Sequence, residues 1–173
     1  MLALLLLTLQ DPPPELRGGL LAEFFELQGE VEDFPALPAD RKPALRRIES
    51  QVNYESTEAG FGGTPFSDKF FARWSGLLRV PADGKYTFFT ESDDGSRFFV
   101  GDRKVVDNGG LHAMEEKSGE IELKAGDHPI RLELFENIGT AGCRLSWEGP
   151  GTPKAVIPDK VLFHKKDKDL DKE

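Results

Sequence analysis

From Phe70 onward, apolar and polar residues alternate with a period of two, and Gly, Pro, Asp or Asn interrupt the alternation every several residues. Phe70 to Val80 places Trp74, Leu78 and Val80 on one face. Ser118 to Lys124 places Ile121 and Leu123 opposite Glu120 and Glu122, and His128 to Glu136 turns Ile130, Leu132 and Leu134 inward. Lys85–Glu91, Arg97–Gly101, Val105–Val106 and Cys143–Glu148 read the same way, and Pro153 to Phe163 offers Val156, Ile157, Val161 and Leu162 for burial. Successive side chains on a strand point to opposite sides, so this pattern predicts strands with one buried face. No stretch keeps a helical period of 3.6. Many short strands with frequent turns predict an all-β fold, an antiparallel β-sandwich or barrel.

The first half of the chain is less regular. Leu20 to Leu27 reads as a strand. Gly29 to Lys69 carries Pro35, Pro38, Pro43 and Pro65 with Gly60, Gly62 and Gly63, and reads as a long loop region with a short strand at Val52–Tyr54. A loop this long in a compact domain is usually functional or covers a core edge. Phe34, Leu37, Leu45, Ile48 and Phe61 are expected to tuck into the core. Residues 1–10 hold the apolar run Met1–Leu9, too short for a bilayer crossing, which takes about 20 residues. They read as a secretory signal segment, although no basic residue precedes the run and no small-x-small cleavage site follows it. Residues 11–19 form a Pro-rich spacer, 20–163 the domain, and 164–173 a mixed-charge tail expected to be disordered.

Composition narrows the function. The chain has 173 residues, 38% hydrophobic and 31% charged, with a formal net charge of -9. An acidic surface without a basic stripe speaks against nucleic acid and against anionic membranes. Cys143 is the single cysteine, so no internal disulfide forms; it shares the alternation of Leu145 and Trp147 and reads as a buried apolar residue.

Enzyme chemistry finds little support. No nucleophile motif accompanies His112, His128 or His164. Asp93 and Asp94 are neighbours on one turn, whereas glycoside hydrolysis needs carboxylates at least about 5 Å apart across the sugar. No His or Cys cluster has zinc spacing, and no glycine-rich phosphate loop leads into a helix. What stands out is Ser92–Asp93–Asp94–Gly95 between two strands. A turn can aim both carboxylates at one point, which suits a hard cation with oxygen ligands, yet Asp and Gly also make ordinary hairpin turns. If the strands 85–91 and 128–136 run the same way, the loop at Glu136–Gly142 lies at the same end and offers Asn137 and main-chain carbonyls.

Several stretches in order carry a family resemblance: Asp33-Phe34-Pro35, Phe70-Phe71-Ala72-Arg73-Trp74-Ser75-Gly76, Gly84-Lys85-Tyr86-Thr87-Phe88, Ser92-Asp93-Asp94-Gly95-Ser96-Arg97, Val105-Val106-Asp107-Asn108, Phe135-Glu136-Asn137 and Ala141-Gly142-Cys143-Arg144-Leu145-Ser146-Trp147. Over about residues 20–163 the chain resembles the PA-fourteen domain family, named after the fourteen-kilodalton segment of anthrax protective antigen. The resemblance implies a β-sandwich of exported proteins that commonly recognises carbohydrate. In the lectin-like members two adjacent aspartates joined by a cis peptide clamp a calcium ion, which coordinates vicinal sugar hydroxyls. It implies Asp93, Asp94 and Asn137 as metal ligands, with carbonyls of Gly139 and Ala141 completing the shell. Asp107 and His112 fit the family pattern as loop-ordering groups first and sugar contacts second. Trp74 and Trp147 are read as core.

The leading reading is an exported, calcium-dependent, lectin-like carbohydrate-binding module, secreted or held at the cell envelope, whose partner is a glycan or polysaccharide. The alternative is a structural or protein-interaction module of the envelope, with another envelope protein as partner and no sugar site. Neither reading is an enzyme, and neither needs a membrane span in the mature chain.

Overall fold

The computed structural model describes residues 14–171; the apolar run and the first three residues of the Pro-rich spacer lie outside the described residues. Among the described residues, thirteen strands form two antiparallel sheets packed face to face. They are β1 (Leu16–Gly18), β2 (Leu20–Glu26), β3 (Leu45–Glu49), β4 (Asn53–Thr57), β5 (Phe70–Val80), β6 (Gly84–Asp93), β7 (Ser96–Val100), β8 (Arg103–Asn108), β9 (Glu115–Leu123), β10 (Gly126–Glu136), β11 (Ala141–Gly149), β12 (Thr152–Val156) and β13 (Leu162–Lys165). One sheet runs β1-β13-β5-β10-β7-β8, with β2 joining β5 and β3 beyond it. The other runs β12-β11-β6-β9, with β4 also on β11. Among the described residues, no helix is long and apolar enough to cross a membrane.

The alternation in the sequence is the core. Trp74, Leu78, Ile130, Leu132 and Leu134 from one sheet meet Tyr86, Phe88, Leu145 and Trp147 from the other, all buried. Tyr86 stacks on Trp147 with centroids 5.7 Å apart, and Phe88 tilts against Phe98 at 4.9 Å. Both tryptophans are core side chains, and the Trp74 indole N–H donates to the buried Glu49 carboxylate. Burying an indole imino group without such an acceptor costs stability. Cys143 is fully buried, and burial pushes its thiol far up, out of the reactive range.

Three elements differ from the sequence expectation. β1 falls inside the spacer and pairs with β13, Leu16 opposite Lys165. β3 falls inside the loop-rich segment and pairs with β2; its Leu-Arg-Arg-Ile-Glu has no clean alternation because Arg47 and Glu49 form an ion pair at the sheet edge. The described part of the tail, residues 164–171, folds back on the domain. His164 belongs to β13 and is buried, its Nδ1 3.2 Å from the Gly19 carbonyl and its Nε2 3.1 Å from the Asp171 carboxylate, while the Asp167 amide donates to that carboxylate at 2.7 Å. Charge composition alone misses such a fold-back, because each of these acceptors is supplied by a distant or looped segment. Of the loop residues expected in the core, Phe61 is fully buried; Leu45 packs half-buried against the main core, Phe34 and Leu37 against a satellite cluster around Phe25, Phe71 and Phe135, and Ile48 is half-buried but joins neither cluster.

Candidate functional site

The β6–β7 connection is not the hairpin turn the sequence suggests: the two strands lie in different sheets, and Asp93 and Asp94 sit in the turn that crosses between them. Both are 7% exposed, and the peptide bond between them is cis. Gly95 follows because nothing larger fits: a Cβ there would lie 2.4 Å from the Phe135 ring and 3.0 Å from the Gly110 carbonyl. Gly95→Ala is therefore expected to destabilise the fold by about 1–3 kcal/mol through overpacking, read as a lower midpoint in chemical unfolding.

The two carboxylates do different work. Asp94 ties together the two loops that flank it: the His112 amide donates to one oxygen at 3.0 Å and the Asn137 amide to the other at 3.0 Å. Asp93 takes hydroxyls from two other segments, Ser56 on β4 at 3.1 Å and Thr140 at 2.7 Å, both on one oxygen. Thus the loops 109–114 and 137–140 do meet at one end of the sandwich, around the turn. Lys69, a non-glycine residue with φ of 51°, fixes the second loop from below by donating its amide to the Asn137 carbonyl at 2.8 Å.

A third carboxylate lies beneath the turn. Glu136 ends β10 fully buried; one oxygen accepts the Asp94 amide at 2.9 Å and the other has no hydrogen-bond partner. Burial pushes its carboxyl up to about 8, helped by the charges of Asp94, Asp93 and Asp68, against the pull of the Asp94 amide. Among the described residues, Asp93, Asp94 and Glu136 form no ion pair with Lys, Arg or His. Sequence reasoning did not single out Glu136, although a signal was present. Glu136 shares the parity of Ile130, Leu132 and Leu134, so the alternation itself sends a carboxylate inward at the strand end. Ser56 and Thr140 carried no such signal.

The remaining predicted residues are placed as follows. The Asn137 side-chain oxygen accepts the Val31 amide of the long first loop at 3.3 Å. Gly139 donates its amide to Asp68 at 2.9 Å, and Ala141 begins β11, opposite Thr57 of β4. The ring nitrogens of His112 face the carbonyls of Ala113 in its own loop at 2.9 Å and of Asn108 at the end of β8 at 3.2 Å, so the ring ties the loop to the strand before it. Asp107 and Asn108 end β8 rather than opening a loop. Asn108 is buried, donating to Ser92 and to the Glu115 carbonyl, whereas Asp107 is exposed beside Lys104. Among the described residues, no three His, Cys, Asp or Glu side chains converge as a ready metal cluster. A cation here would draw on two carboxylates and on neutral oxygens. The donor chemistry fits a hard ion: each Asp94 oxygen accepts one hydrogen bond and keeps a free lone pair, and one Asp93 oxygen has no partner among the described residues.

Residues 17–160 match the profile of the PA14 domain family. The chain belongs to the PA14 domain family. It is 27% identical over 118 residues to the Anti-sigma-I factor RsgI3 of Acetivibrio thermocellus, an alignment covering 68% of this chain and 18% of that protein. The chain therefore spans about a fifth of that relative's length. It superposes with a TM-score of 0.74 on a PA14 sugar-binding domain from an RTX adhesin, at 20% identity over 85% of this chain and 98% of the other. With the epithelial adhesin 9 A domain from Candida glabrata, in complex with Galb1-3GlcNAc, the TM-score is 0.69 at 14% identity, covering 91% of this chain and 94% of that one. At such identities the superpositions establish the PA14 fold.

Proposed function

We propose that this PA14 domain is an exported module that binds glycan hydroxyls through a calcium ion held at the Asp93–Asp94 turn. The observation that carries the reading is a pair of adjacent, nearly buried carboxylates, without a cationic partner among the described residues, in a turn that Asp94 bonds to the two loops flanking it. The charge of the two aspartates helps to keep the buried Glu136 carboxyl beneath them protonated, and a cation at the turn would offset that charge. Asp93, Asp94 and the Asn137 side-chain oxygen would hold the ion, with carbonyls of the 137–141 loop beside them. When bound, calcium supplies open coordination positions for vicinal hydroxyls. The chain's own residues do the rest: Asp94 holds the loops at fixed separation, Thr140 and Ser56 orient Asp93, and the His112 ring stiffens the loop it belongs to. Sugar binding by two PA14 neighbours supports the reading. Nothing in this arrangement needs turnover, and the chain acts by binding.

The test is thermal unfolding with excess calcium and with chelator. Calcium at 100 times its dissociation constant should add about 2.7 kcal/mol of stability, seen as an upward shift in melting temperature. A shift that persists in Asp93→Ala, or no shift at millimolar calcium, overturns the metal site. A glycan array probed in calcium and in chelator then reads the sugar function directly.

A second reading is favoured by the anti-sigma-factor relative, which is a larger protein. In it the same loops contact another envelope protein and no sugar. Calcium-dependent stabilisation with an array free of signal would support it.

A further inference from the structure

Beside the turn, on the side of β7 and β8, lies a cleft of about 440 Å³. Its walls are Asp33 and Phe34 from the long first loop, Arg97 on β7, Lys104 and Asp107 on β8, and Gly109. It borders the turn through the loop that begins at Gly109. Gly110 also lines the cleft, and its carbonyl closes over Gly95, while the His112 amide two residues on is bonded to Asp94. Phe34 stands edge-on to Phe135, centroids 5.0 Å apart, and Phe135 packs against Gly95.

We propose that this cleft is a second sugar subsite adjoining the Asp93–Asp94 turn, so that the ligand is a neutral oligosaccharide rather than a single sugar or a uronate chain. The proposal rests on the glycan-binding reading. Three features point to it. The Arg97 guanidinium is held over the Phe34 ring, 4.2 Å from its centroid, with Nε committed to Glu133; its terminal nitrogens have no hydrogen-bond partner among the described residues and remain as fixed donors. Asp33 and Asp107 face each other across the position of Gly109 as acceptors for hydroxyl protons. The charge balance disfavours an anionic sugar: Lys104 is paired with Asp107, and Arg97 and Arg131 share Glu133, whereas Glu32 and Asp33 have no cationic partner among the described residues, so the carboxylates here outnumber the cations. A carboxylate ligand would meet net negative charge, and a hydroxyl would not.

Gly109 keeps the cleft open. A Cβ there would lie 3.4 Å from Phe34, 3.5 Å from an Asp107 oxygen and 3.9 Å from an Asp33 oxygen, ordinary contacts between the two walls, and its φ lies outside the left-handed region. A longer side chain at this position would fill the cleft without removing a charge or straining the backbone.

The experiment is isothermal titration of the full chain in millimolar calcium with glucose, mannose, galactose and xylose, with neutral oligosaccharides of each, and with an oligogalacturonide. The expected result is a neutral oligosaccharide bound at least about ten-fold tighter than its monomer. Gly109→Leu should reduce the oligosaccharide to monomer affinity, leaving the monomer and the melting temperature unchanged. Asp33→Ala should lose the same advantage in part. Equal affinity for monomer and oligomer, indifference to Gly109→Leu, or preference for the oligogalacturonide overturns the subsite while leaving glycan binding standing. If no sugar in the panel binds with calcium present, the glycan reading falls and the subsite with it.

Discussion

Asp94→Ala is expected to lower calcium affinity at least about a hundred-fold and to abolish calcium-dependent glycan binding. One carboxylate here serves both functions of the site. It contributes ligand oxygens, and it fixes two loops by accepting the amides of His112 and Asn137. Its removal leaves both amides without their acceptor in a partly buried setting, at about 1–3 kcal/mol each before water enters. The variant should therefore also melt lower without calcium. Asp94→Asn separates the effects: it keeps the side-chain shape and one acceptor oxygen, so it should recover part of the stability and little of the calcium affinity. Equilibrium dialysis with calcium and chemical unfolding in chelator read the two quantities independently. Calcium affinity retained in Asp94→Ala would remove this residue from the ligand set.

Without calcium, the protein should lose on the order of 3–5 kcal/mol of stability between about pH 5 and pH 8, because of Glu136. Its carboxyl is raised from 4.5 to about 8, first by burial and then by Asp94, Asp93 and Asp68. A folded-state value above the unfolded one means the fold binds a proton that the unfolded chain releases. That stabilisation is complete below about pH 4.5 and is lost as pH rises through about 8, and each tenfold difference in proton affinity between the two states corresponds to about 1.4 kcal/mol. Glu136→Gln cannot ionise and still offers an oxygen to the Asp94 amide, so its stability should be nearly flat over the same range and exceed that of the natural chain at pH 8. Calcium should also flatten the natural chain's profile in part, since a cation at the turn offsets the aspartate charges that add to burial in keeping Glu136 neutral. Urea midpoints across this pH range, in chelator and in calcium, check both. A natural chain equally stable at pH 5 and pH 8 in chelator would exclude an ionisable buried Glu136.

The sandwich was readable in the chain because burial of one face imposes a two-residue period, and that period survives in β5, β9, β10 and β11 without knowledge of their partners. Trp74, Trp147 and Cys143 fell into the core by the same parity. The turn was readable too, since adjacent aspartates before a glycine are a local pattern. Local pattern failed where an element depends on a distant partner. β1 is three residues that become a strand only by pairing with β13 at the other end of the chain. β3 alternates poorly because ion pairs at its edge replace apolar contacts, and His164 is ordered by Gly19 and Asp171, which meet only in the fold.

The same division runs through the site. Residue types and their order were enough to say which groups could supply oxygens and that a turn would present them. Folding in three dimensions was needed to make Asp94 a clamp between two loops, to spend the His112 ring on tying its loop to β8, and to leave Glu136 buried and half-satisfied below. Folding also opened a cleft between Asp33 and Asp107, residues 74 positions apart. Hydrogen bonds and charge fields act through a few ångströms of space, and the chain brings those few ångströms together only when the two sheets close.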